Sequence, residues 1–323
     1  MAGRKVRFGI QTPLVIGWQP TLEFWRFLDR ETPIDSAWTF DHFVPPMPGQ
    51  DPLGPCLEGW TALAALAQAT ERLRLGCLVT GVTYRHPSVL AKMAATVDHI
   101  SGGRLEFGLG AAWHEDEHRS YGIPFPSVRE RQDRLEEAAE LIHLLFKADG
   151  TVSYQGRYYQ LDDAPFKPRP VQEPHPPFLI GGGGEKRTLR TLARFGDIMN
   201  VSGPPSAVRQ KIEVLEGHCK DIGRDPSEIE RSVFMPVVMT DRQDLIDRVA
   251  SFWVAQGVPA EEAKRLVPAG SPDHIRAVIR EYTDIGVSYF IIMSQGPYNL
   301  DLYRRITEEI VIPLVGTSVP SDR

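Results

Sequence analysis

Eight short apolar runs, VRFGI, SAWTF, LRLGCLV, RLEFGLG, PFLIGG, DIMNV, SVFMPVVM and VSYFIIMS, recur along the chain. Most are separated by segments with helical periodicity, such as LEFWRFLDR, EGWTALAALAQAT, SVLAKMAATVDHI, RERQDRLEEAAELIHLLF and SPDHIRAVIREYTDIG. Strands alternating with helices must pair in parallel, and strands this continuously apolar are buried on both faces. A doubly wound sheet and a closed (β/α)8 TIM barrel both satisfy the alternation. Eight strand candidates in one chain, with no G-x-G-x-x-G fingerprint after the first, favour the barrel. The 323 residues exceed the roughly 250 typical of such a barrel, so the excess belongs in inserted loops. Two Pro/Gly-rich stretches fit, near 44–57 and 148–176, the second with a hairpin turn at Gln155-Gly156. The expectation is one domain over 1–323 with these insertions as lids.

Bulk properties exclude several functions. A formal net charge of -6 with Lys and Arg spread along the chain gives no electrostatic footprint for DNA or RNA. Cys56, Cys77 and Cys219 cannot all pair and show no C-x-x-C spacing, which argues against a disulfide framework and fits a reducing cytoplasm. No apolar run approaches the roughly 18 residues of a membrane span, and MAGRKVRFGI leads into an amphipathic strand. The expected partner is a small-molecule substrate, with neither nucleic acid nor membrane.

One motif competes with this reading. His114-Glu115-Asp116-Glu117-His118 matches H-E-x-x-H, the zinc-protease pattern, and Glu136, Glu137 and Glu140 offer a downstream carboxylate. A zincin, however, needs both histidines on one stiff helix, and this pentapeptide opens directly after a strand and the turn GLGAAW and soon meets YGIPFP. Three acidic residues at the start of a short helix are what its positive N-terminal dipole favours. No metal is expected.

In a barrel, chemistry sits at the C-terminal strand ends. Gly181, Gly182, Gly183 and Gly184, between an apolar strand and the helix-like EKRTLRTLARF, form a turn whose amides, with the helix N-terminus, suit a phosphate. Asp41-His42 ends another strand, where a carboxylate can set the tautomer of an imidazole that works near neutral pH. Trp18, Trp38, Trp113 and Tyr121 are placed to wall a flat aromatic ligand. His86, His99, His143, His218 and His274 read as capping, turn or helix-surface residues.

At these residues the chain resembles the bacterial luciferase-like monooxygenase superfamily, especially its branch using the deazaflavin coenzyme F420. The likeness runs through AWTFDHF, then ERLRLGCLVTGVTYRHPSVLAKMAATVDHISGGRLEFGLGAAWHEDEHRSYGIPFP, then KPRPVQEPHPPFLIGGGGEKRTLRTLARFGDIMNV. It implies a luciferase-like (β/α)8 barrel, commonly a homodimer, holding F420 at its C-terminal end and moving a hydride between the deazaflavin C5 and a small organic substrate. Asp41 would meet the ring and His42 assist proton transfer. Leu78, Val79, Thr80, Ala111, Ala112, Trp113 and the four glycines would cradle the cofactor, with the Leu78-Val79 peptide cis. Trp18, Trp113 and Tyr121 would face the substrate. The alternative is an FMN-dependent monooxygenase consuming oxygen and reduced flavin from a separate reductase. One departure stands out: where sugar-phosphate and secondary-alcohol dehydrogenases of the branch keep a glutamate acid after strand four, this chain has Trp113, which cannot transfer a proton. Glu115, one turn on, is the nearest substitute.

Overall fold

The computed structural model describes residues 4–319 except positions 48, 256 and 295. The ends of the expected 1–323 unit, and position 48 of the 44–57 insertion, therefore lie outside the described residues.

All eight apolar runs form strands: β1 (Arg7–Gln11), β2 (Ser36–Thr39), β3 (Arg74–Cys77, resuming at Thr80–Gly81), β4 (Phe107–Gly110), β5 (Phe178–Gly181), β6 (Ile198–Val201), β7 (Glu230–Pro236) and β8 (Tyr289–Met293). Their order is 3-2-1-8-7-6-5-4-3, every pairing parallel. The sheet begins on the first piece of β3 and ends on the second, which closes it into a barrel. The alternation along β8 explains why its run is wholly apolar. Phe290 and Ile292 join the layer beneath the outer helices, while Tyr289 and Ile291 pack inside the barrel with Trp38, Leu179 and Ile198. Trp38 is fully buried and donates its indole N–H to the Tyr289 hydroxyl at 2.9 Å, so it belongs to the barrel filling.

Charge closes the N-terminal end. Arg7 binds Asp35 at 2.6 Å and Glu106 at 2.8 Å, and pairs with Glu230 at 2.6 Å; Arg74 adds a second contact to Glu106 at 2.7 Å. Burial pushes the Glu106 carboxyl up, but the two guanidiniums hold it below its ordinary range. Each of these groups sits at or just before a strand's first residue, at the end of the barrel opposite the cavities described below.

The break in β3 is the main irregularity. The Leu78–Val79 peptide is cis, as expected, and the Val79 side chain occupies space that Gly110 and Gly181 leave vacant, while Gly108 leaves room for the Cys77 carbonyl. A Cβ on Gly110 would lie 2.6 Å from Val79 Cγ2, one on Gly181 2.9 Å from Val79 Cγ1, and one on Gly108 2.0 Å from the Cys77 carbonyl oxygen. The glycines of FGLG and FLIG are thus required by close approach of backbone and side chain.

The insertions differ in role. Of the first insertion, Pro46, Met47, Gly49 and Gln50 lie at the C-terminal end, where they line a cavity. Residues 148–176 form the expected hairpin (Thr151–Gln155 with Gln160–Pro165). Glu137 accepts from the Tyr158 and Tyr159 amides, and Asp98 from those of Val171 and Gln172. These bonds fasten the segment along the outer helices Pro87–Ser101 and Val128–Lys147. A third insertion follows β7. The SVFMPVVM run splits at Pro236, and Val238–Met239 pairs instead with Ala269–Gly270 beneath helices Gln243–Val254 and Ala260–Leu266. That unit has its own small core of Ala250, Trp253, Ala263, Leu266, Val267 and Ala269. Among the described residues no helix is long and apolar enough to cross a membrane, and the three cysteines are unpaired.

Candidate active site

Two cavities meet at the C-terminal ends of the strands. The first, about 430 Å³, is lined by Leu78 and Val79, by Gly110 to Trp113, by Gly181 to Gly184, and by Asp41, His42, Gly81, Tyr84, Gln132, Thr188, Asn200 and Phe234. The second, about 470 Å³, is reached past His42, Leu78, Trp113 and Phe234, which line both. Its other walls include Gln11, Phe40, Met47, Gln50, Met293 and Ser294.

His42 stands at this junction, and its imidazole is positioned by a carboxylate. Nδ1 lies 3.0 Å from Glu117 Oε2, and the ring packs edge-on against Phe40 and Trp113. Glu117 is 1% exposed, yet it accepts from the Tyr84 hydroxyl at 2.5 Å, the Val44 amide at 3.2 Å and the Phe43 amide. Burial pushes its carboxyl up, but the hydrogen bonds from His42, the Tyr84 hydroxyl and the Phe43 amide outweigh burial and bring it down to about 2. Glu117 is therefore ionised at neutral pH. An ionised acceptor requires a proton on His42 Nδ1, so the neutral imidazole presents a lone pair at Nε2. Nε2 makes no hydrogen bond among the described residues.

The H-E-x-x-H residues are thereby accounted for. His114 caps the short helix Glu115–Ser120, its Nδ1 accepting from the Glu117 amide. His118 is buried, with Nδ1 donating to the His114 carbonyl at 2.7 Å and Nε2 accepting from Thr83 Oγ1 at 2.7 Å. Both of its ring nitrogens are committed, and it stacks on Tyr84. Glu117, the third residue of this helix, points inward. Glu115, the substitute acid suggested by the sequence, is exposed and lines neither cavity.

Asp41 lines the first cavity, but both its oxygens are taken by Arg85, at 2.7 and 3.0 Å. Arg85 also reaches Glu58 Oε1 at 2.5 Å. Burial raises the Asp41 carboxyl and Arg85 opposes it. Of the aromatic candidates, Trp113 is 61% exposed and borders both cavities. Trp18 opens helix Trp18–Glu31 and packs with Leu14 and Phe40, while Tyr121 bonds the Phe43 carbonyl at 3.2 Å; neither lines these cavities. Thr80 also faces away, its hydroxyl accepting from the Trp60 indole at 2.7 Å. Sequence reasoning missed Tyr84, Arg85, Glu117, Gln132, Thr188, Asn200 and Phe234. The offset of Glu117 from its helix cap was the only local signal for any of them.

Two backbone features mark the glycine-rich wall. Ala112 sits at φ 61°, a left-handed conformation that non-glycine residues adopt rarely. Gly182, at φ 118°, turns the chain between β5 and helix Thr188–Phe195, and the amides of Gly183 and Gly184 make no hydrogen bond among the described residues.

Residues 7–289 match the luciferase-like monooxygenase family. A protein of Amycolatopsis mediterranei named F420-dependent glucose-6-phosphate dehydrogenase is 27% identical over 315 residues, covering 87% of this chain and 90% of its own length. One of the same name from Kineococcus radiotolerans is 28% identical over 293 residues, covering 83% and 85%. Among solved structures, an F420-dependent secondary alcohol dehydrogenase bound to an F420-acetone adduct superposes with a TM-score of 0.79 at 21% identity, covering 96% of this chain and 98% of its own. The coenzyme F420-dependent tetrahydromethanopterin reductase of Methanopyrus kandleri gives 0.78 at 22%, covering 96% and 99%. At such identities the structural likeness is one of fold. With the match running from the first barrel strand into the last, this chain belongs to the luciferase-like monooxygenase family.

Proposed function

We propose that the protein is an F420-dependent oxidoreductase that moves a hydride between the deazaflavin C5 and a small organic substrate. The observation that carries this is the junction: an imidazole with its Nδ1 tied to an ionised carboxylate sits where a glycine-lined cavity opens into a second chamber. The names of relatives aligned over more than four fifths of the chain support F420 as the cofactor.

The first cavity fits such a group. The Val79 side chain fills the volume that Gly110 and Gly181 give up and so backs a smooth wall. The Gly183 and Gly184 amides and the N-terminus of helix Thr188–Phe195 provide donors suited to a phosphate-bearing tail. Bound there, F420 supplies a carbon that accepts or gives a hydride. The chain does the rest. Leu78, Val79 and Ala112 orient the ring, Trp113 and the 44–57 loop limit water, and His42 Nε2 takes or returns the substrate's proton. Glu117 fixes the His42 tautomer and stabilises the imidazolium that follows. With both oxygens on Arg85, Asp41 holds the loop that carries His42.

Side-by-side titrations of the purified protein with F420 and FMN, followed by quenching of tryptophan fluorescence, test the reading. Tight F420 binding with negligible FMN binding is expected. The reverse preference would overturn it in favour of a flavin monooxygenase.

A further inference from the structure

The second chamber has walls that restrict its occupant. Phe40, Leu78, Trp113, Phe234, Met293, Met47, Val15 and two prolines make most of them apolar. Among its described lining residues there is no Lys or Arg, and His42 is the one ionisable side chain. The polar side chains are few and mostly committed. The Ser294 hydroxyl donates to the Gln11 carbonyl at 2.7 Å, and Gln50 Oε1 accepts from the Met47 amide at 2.9 Å. Gln11 is different. It ends β1, is 8% exposed, and its side-chain carboxamide bonds to no described residue although its carbonyl is taken. The first cavity likewise has no cationic lining residue among those described.

From this we infer that the chamber takes an uncharged, largely hydrocarbon alcohol, or the matching carbonyl compound, and excludes phosphorylated sugars. A phosphate dianion needs cationic side chains, a metal or the free amides of a helix N-terminus to replace its hydration; no helix opens among the described lining residues of this chamber, and burial among phenylalanine and methionine side chains leaves the charge uncompensated. An alcohol needs only one or two hydrogen bonds for its oxygen, which His42 Nε2 and the Gln11 carboxamide supply, and apolar walls for its chain. The inference rests on the oxidoreductase reading for the reaction. With F420 bound, the cofactor would take the carbinol hydrogen together with its two electrons, and His42 Nε2 would take the hydroxyl proton as the C=O bond forms. Reduction runs the same steps backwards. Gln11 is then a positioning residue that sets where the substrate oxygen lies.

The test uses the purified full chain with F420 added, 2-octanol and glucose 6-phosphate as rival substrates, and cofactor reduction followed by its visible absorbance. Expected is a kcat/KM for 2-octanol at least about a hundredfold above that for glucose 6-phosphate. Gln11→Leu should lower the value for 2-octanol about tenfold, mainly through KM, with F420 affinity unchanged. Comparable turnover of glucose 6-phosphate overturns the inference, as does bound F420 with no turnover of either compound. Tryptophan quenching by 2-octanone and by glucose 6-phosphate, measured without cofactor, separates this inference from the one it builds on. If F420 fails to bind but the ketone quenches and the sugar phosphate does not, the proposed reaction falls and the chamber's preference stands. Quenching by the sugar phosphate alone overturns the preference.

Discussion

Replacing Glu117 with glutamine removes one charge from the centre of the site and keeps its shape. Oε1 receives the Phe43 and Val44 amides, and Oε2 receives His42 Nδ1 and the Tyr84 hydroxyl. A carboxamide can keep its oxygen on the two amides, which places its NH2 where Oε2 was. That group donates, so His42 Nδ1 must accept and the ring proton moves to Nε2, the atom needed as a base. The lost interaction is a hydrogen bond to a charged group, worth about 1.5–3 kcal/mol. If it is made fully only as His42 becomes cationic, kcat falls roughly ten- to hundredfold. Stability should fall as well, because the folded site holds the Glu117 carboxyl down to about 2 and so favours the charge that glutamine lacks, although the loop amides keep their acceptor. The assay pairs alcohol-dependent F420 reduction with 15N spectra of labelled histidine, which report the His42 tautomer without any substrate. Unchanged kcat together with a proton still on Nδ1 would refute the reasoning and leave Glu117 as a loop anchor.

Three other perturbations follow from the geometry. Gly110→Ala puts a methyl 2.6 Å from Val79 Cγ2; a loss of about 1–3 kcal/mol in denaturant unfolding and at least tenfold weaker F420 binding on titration are expected. Arg85→Met strands the buried Asp41 carboxylate and should cost about 3–5 kcal/mol, with Asp41→Asn in the same chain restoring part of it; strict additivity in a double-mutant cycle would contradict the pairing. His143 has a buried Nδ1 without a partner among the described residues. Burial, then His175, Lys147 and Arg224, bring it from 6.5 down to about 4. The unfolded chain therefore binds its proton first, and stability falls as pH drops from about 6.5 toward 4. His143→Leu should flatten urea midpoints across that window, and an unchanged slope would count against this.

The barrel was readable because each strand is buried on both faces, which leaves an apolar run no loop can imitate: Tyr289 to Met293 is the clearest case. The glycine turn and the Asp41-His42 pair were readable from their position at strand ends. What failed to show was partnership. Arg85 meets Asp41 across 44 residues and Glu117 meets His42 across 75, and nothing near either partner announces the other. Glu115, Asp116 and Glu117 look alike as letters, yet only the third turns inward, because the helix begins one residue after His114. Trp38 read as a ligand wall because a tryptophan near a strand end looks the same whether its ring faces the mouth or the filling. The helices Gln243–Val254 and Ala260–Leu266 were lost in what looked like connection, since their small core forms away from the barrel.

The crowding around Val79 also bears on how such a sequence can drift. Gly110 and Gly181 each stand within a methyl's reach of the same side chain, so a Cβ at either is destabilising while valine is present. A smaller residue at 79 would leave a hole that the two glycines cannot fill. The three positions are therefore energetically coupled. Among sequences that keep this barrel mouth, they should covary as a set, with a larger residue at 110 or 181 appearing only where position 79 has already shrunk.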